Sequence, residues 1–83
     1  MDIYDQISLL HDAEQLFAME ALSCECDAVN TKSEKYAAIR RKRAKALQAK
    51  AQETGAWKRR LEQQAKAQLK RSVYRWCDQQ LRQ

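Results

Sequence analysis

Apolar or small residues recur at three- and four-residue intervals through the first third of the chain, at Ile3, Ile7, Leu10, Phe17, Ala21, Cys24 and Ala28, with Glu14 the one interruption. Leu9, Leu16 and Met19 widen the stripe. Such a pattern predicts an amphipathic helix over about 2–28 that buries one broad face and wets the other. Asp2 suits its N-cap and Asp5 its first turn, where a carboxylate meets the positive end of the helix dipole.

The run Asn-Thr-Lys-Ser at 30–33 ends this pattern, and Thr31 followed by Glu34 has the spacing of a capping box that opens a second helix, over about 33–53. A connection this short reverses the chain into an antiparallel neighbour. The second segment is rich in Ala, Lys, Arg and Gln, all strong helix formers. Its stripe is weak: Tyr36, Ile39 and Leu47 share a face, but Arg40, Arg43 and Lys50 fall on or beside it, and otherwise only alanines are left to bury. This segment is therefore expected to be the least protected part of the fold.

Gly55, the only glycine, is placed to end a helix, so a break or bend is expected there. A third helix then spans about 56–82, with a drifting stripe of Trp57, Leu61, Ala65, Leu69, Val73, Trp76 and Cys77. It matches the first helix in length, which makes those two the expected scaffold, with Trp76 as a core anchor. The fold class is all-α, in one domain over 1–83: a helical hairpin or an open three-helix bundle, with dimerisation through long antiparallel helices as the alternative. An 83-residue chain buries little of its surface, which keeps self-association in play.

Charge sharpens this picture. Residues 1–30 carry seven acids and no Lys or Arg, while the rest carries sixteen cations and four acids, so −7 and +12 underlie the net charge of +5. Seven carboxylates cannot neutralise sixteen cations, and some basic surface must face outward. No run of 18 apolar residues is present, and the acidic N-terminus is unlike a basic signal-peptide n-region, so a cytoplasmic protein is expected. Cys24, Cys26 and Cys77 read as free thiols, with Cys77 half-buried.

Catalytic chemistry has few candidates. His11 is the only histidine and has no partner motif, and Cys24 and Cys26 point roughly 200° apart on a helix, which is wrong for one metal ion. Glycine-rich phosphate loops and HExxH are missing. A non-enzymatic binding protein without cofactor or metal is expected.

The binding candidates are basic and aromatic. Arg40, Arg41, Lys42, Arg43, Lys45 and Lys50 form one cluster, and Arg60, Arg71, Arg75 and Arg82 fall within a sector of about 60° on the last segment. Arginine in rows suits phosphate oxygens, and Trp57 beside Lys58, Arg59 and Arg60 suits base stacking or an interface anchor. The expected partner is thus nucleic acid, bound by a regulator or accessory factor. The alternative is an acidic protein surface, engaged by a small phage- or plasmid-type inhibitor or adaptor, and a homodimer is compatible with both. A membrane-surface role ranks last, because the final stripe is more easily buried against the first helix.

Overall fold

A computed structural model describes residues 1–82 and is all-α. Two helices, α1 (Ile3–Asn30) and α2 (Glu34–Leu81), are joined by residues 31–33, and no strand occurs among the described residues. Contacts run in opposite numerical order along the pair, from Asp27 with Arg40 through Glu14 with Lys58 to Tyr4 and Ile7 beside Ala65 and Leu69. The helices are therefore antiparallel.

The ends of α1 are set by local hydrogen bonds. Asp2 is the N-cap and its carboxylate accepts from the Asp5 amide at 2.9 Å. At the other end the Thr31 amide donates to the Asp27 carbonyl. Ser33, not Thr31, caps α2: its hydroxyl accepts from the Tyr36 amide at 3.2 Å, while the Thr31 hydroxyl accepts from the Ser33 amide. The Thr31–Glu34 capping box is thus corrected by two residues, because α1 runs on to Asn30 and takes Thr31 as its own C-cap.

The expected break at Gly55 does not occur. α2 is continuous for 48 residues, about 72 Å at 1.5 Å per residue, against 28 residues and about 42 Å for α1. Gly55 is buried within it, and no residue has positive φ among the described residues. The Thr54 hydroxyl donates back to the Lys50 carbonyl at 2.7 Å, so this polar side chain is satisfied inside the helix and does not open it.

What holds the pair together is a seam of small side chains. Ala21, Cys24 and Ala28 on α1 and Ala37, Ala44, Leu47, Gly55 and Ala65 on α2 are buried, with Phe17 packed against the cluster. The seam corrects the sequence expectation for residues 34–53. Ala37 and Ala44, with the expected Leu47, are its core, whereas Tyr36 and Ile39 are exposed. Ala37, Ala44, Ala51 and Ala65 stand seven residues apart, with Lys58 in the same row; on α1 Ile7, Glu14, Ala21 and Ala28 form the matching row. A seven-residue repeat keeps one narrow seam facing the partner helix, as in a coiled coil.

Each row has one charged member, and the two meet. Lys58 Nζ lies 2.7 Å from Glu14 Oε2, its side chain only 16% exposed, and 3.3 Å from His11 Nδ1. Room for Glu14 comes from Gly55: a Cβ there would sit 2.9 Å from Glu14 Oε1 and 3.1 Å from Cδ. Glycine in mid-helix thus leaves space that the Glu14 carboxylate occupies, and it serves no turn; a Cβ there would make the end of the Glu14 side chain shift. The hydrogen bond from Lys58 holds the Glu14 carboxyl below its ordinary value, helped by the charges of Lys58, His11 and Arg59 and opposed by desolvation.

The molecule that results is a rod, 75 × 18 × 14 Å. Its radius of gyration is 20.6 Å, where a compact 83-residue domain has about 12 Å.

Three outcomes are expected. Ala44→Leu, which overfills a site 2% exposed, costs about 1–3 kcal/mol in urea unfolding, whereas Ala46→Leu at an exposed site costs little. Gly55→Ala brings part of the helix-propensity gain of about 1 kcal/mol, and the gain is larger when Glu14 is also replaced by Ala, since otherwise the carboxylate must shift. A carboxyl with a lowered folded value stabilises above its unfolded value and loses that contribution as pH falls through the folded one. The gap in melting temperature between the wild type and Glu14→Gln therefore closes as pH drops below the ordinary 4.5.

Candidate interaction surfaces

Because α2 is 20 residues longer than α1, it continues past the end of its partner helix. Tyr4 and Ile7, near the start of α1, lie beside Ala65, Lys66 and Leu69, so the stretch 70–81, about 18 Å long, extends beyond them. Leu69, Val73 and Trp76 follow Ala65 at helical spacing and keep the direction of the seam, yet they are largely exposed: Leu69 58%, beside Tyr4 and Ile7, Val73 49% and Trp76 60%. Tyr74 and Leu81 are exposed on the other side, and Lys70 Nζ lies 5.8 Å from the Tyr74 ring centre. This corrects the expected scaffold. α1 pairs chiefly with the first three quarters of α2, and Trp76 is a surface residue, not a core anchor.

The basic cluster divides. Arg40 turns toward α1, where its Nη2 donates to Asp27 Oδ2 at 2.8 Å, its Nε is buried without a partner, and its guanidinium lies 5.9 Å from the Tyr36 ring centre. It belongs to the seam. Lys50 is exposed, and its Nζ lies 5.9 Å from the Phe17 ring centre. Arg41, Lys42, Arg43 and Lys45 are exposed, as are Arg60, Arg71 and Arg75. The structure does not gather them into one pocket: from Arg41 to Arg75 is about 51 Å along a straight helix. Trp57, also exposed, lines an open cleft with Glu53, Thr54, Ala56 and Arg60.

Only two ion pairs cross the seam among the described residues, Asp27–Arg40 and Glu14–Lys58. Gln48 adds a hydrogen bond to Glu25. Five of the seven acids in residues 1–30 thus have no ion-pair partner, and internal pairing does not absorb the charge asymmetry.

Sequence reasoning missed a second row on α1. Asp5, Leu9, Asp12, Leu16 and Met19 also follow a four-three spacing, about 120–180° round from the seam, and Leu9, Leu16 and Met19 are exposed. The sequence pattern places these leucines and the methionine in a widened core stripe, but a narrow alanine seam does not reach them. The signal was the presence of two separate four-three rows where one broad face was inferred.

Of the three cysteines, Cys24 is buried, Cys26 exposed and Cys77 half-buried, all as free thiols. No helix is long and apolar enough to cross a membrane, and no group of three or more His, Cys, Asp or Glu side chains is placed to hold a metal ion, among the described residues. No protein-family profile, curated protein or solved structure matches the chain.

Proposed function

We propose that this chain is a non-enzymatic protein-interaction module that docks through the part of α2 extending past α1. The observation that carries this reading is the apolar row Leu69, Val73 and Trp76, in phase with the seam and largely exposed, on a helix lined with Lys66, Lys70 and Arg75. Interface cores are enriched in Trp, Tyr and Arg, and this segment supplies all three within 13 residues. Surface area points the same way. The chain exposes 7007 Å², whereas a compact 9.7 kDa protein exposes about 5,100 Å².

A second reading, binding to nucleic-acid phosphates, draws on Arg41, Lys42, Arg43 and Lys45, four exposed cations within five residues that enter no ion pair in the structure. It ranks second because phosphate binding leaves the apolar row unused. It also loses Arg40, whose charge is engaged by Asp27.

Affinity purification from host extract with and without nuclease separates the two. The docking reading expects retention of the same protein after nuclease, lost with Val73→Asp/Trp76→Asp and kept with Arg41→Ala/Lys42→Ala/Arg43→Ala. Retention that vanishes on nuclease treatment, together with duplex binding that falls steeply with salt and with the triple alanine variant, would replace it with the second reading.

A further inference from the structure

We infer that the surface covering the extended part of α2 is α1 of a second copy of this chain, in a two-fold dimer where each protomer docks its α2 extension on the other's outer α1 row. This rests on the docking reading and names its partner.

The chain carries two surfaces that complement each other and cannot meet within one molecule. The first is the row Leu69, Val73 and Trp76. Residues 66–82 around it hold five cations, Lys66, Lys70, Arg71, Arg75 and Arg82, against the single acid Asp78. The second is the row Leu9, Leu16 and Met19 on α1, interleaved with Asp5 and Asp12. Residues 1–20 around that row hold five acids and no Lys or Arg, and only Glu14 among them is paired. Both rows have coiled-coil spacing and both are exposed. Since α2 is one uninterrupted helix through Gly55, the extension points away from its own α1 and cannot fold back onto it.

Symmetry completes the fit. A two-fold axis across the rods inverts one copy, which sets α2 of each protomer parallel to α1 of the other. Each extension then meets an acidic outer row, and the contact is made twice and closes on itself. Pairing of the two extensions with each other is the poorer solution, because both are basic. Area is sufficient: each chain exposes about 1,900 Å² more than a compact protein of its mass, and a standard interface buries about 800 Å² per partner.

Sedimentation equilibrium of the full chain at 1–100 micromolar tests this, with circular dichroism confirming that every variant keeps its helix content. The wild type is expected at twice 9.7 kDa. Asp5→Lys/Asp12→Lys and Lys66→Glu/Lys70→Glu should each raise the dimer dissociation constant at least tenfold, and the four changes combined in one chain should restore it. Trp76→Asp should give monomer. A wild type that stays monomeric at 100 micromolar overturns the inference, as does a dimer indifferent to Trp76→Asp, or one weakened by the lysine changes alone. A monomer that still retains a host protein through Val73 and Trp76 would overturn self-docking while leaving the broader docking reading standing.

Discussion

The pairing of Glu14 with Lys58 across the seam, in the space left beside Gly55, organises this molecule. Glu14 and Lys58 occupy the one place where each seven-residue row of small or apolar residues carries a charge. Alanine against alanine specifies register poorly, since any seven-residue slip brings the same small side chains together. Such a slip would leave Glu14 facing alanine and Lys58 facing an apolar side chain, and would give the carboxylate a Cβ where it now has Gly55. A single polar layer sets register in coiled coils in the same way, at some cost in stability. Here register also fixes how far α2 extends past α1, because the position of Tyr4 and Ile7 beside Ala65 and Leu69 follows from it.

Much of this was legible in the sequence, and the misreadings share one physical cause. The first helix, its Asp2 cap, the reversal near residue 31 and the unspent positive charge all follow from local pattern. Large side chains are the usual mark of a core, which points to Tyr36, Ile39 and Trp76 and gives the middle segment little to bury. When helices pack through alanine, the transfer energy per residue is small but the backbones come close, and the large residues are displaced to the flanks. Alanines at 37, 44, 51 and 65 carried that information in their spacing, although alanine is too common in helices to draw notice by composition. Gly55 was misread for a related reason. A lone glycine in a helical run signals a stop by its propensity, and only a partner pressing on that face reveals the other use, which a single helix cannot show.

The candidate site was half legible. The cations of α2 were visible as a charge excess, but their division was not: Arg40 and Lys58 turn inward to acids of α1, while Arg41, Lys42 and Arg43 stay exposed. Assigning that difference requires knowing which face of the helix meets α1. The apolar row at Leu69, Val73 and Trp76 was read correctly as a stripe and wrongly as a covered one. Its cover was assumed from the equal lengths of two helices, and that equality vanished once α2 proved continuous.

Continuity has a consequence for binding. A 12-residue helix in isolation is marginal in water, because its first turn must be nucleated without reward. The segment 70–81 escapes this cost, since it propagates from a helix already held by α1. Its apolar row is therefore presented in a fixed direction, and docking needs only side chains to be ordered. Association costs less when the backbone is set beforehand, so a short row of three apolar side chains can support a specific contact that a flexible tail of the same sequence could not. The alanine seam thus shapes the exposed end: by burying little itself, it leaves the large side chains of both helices exposed, and by fixing register it decides which of them lie beyond α1.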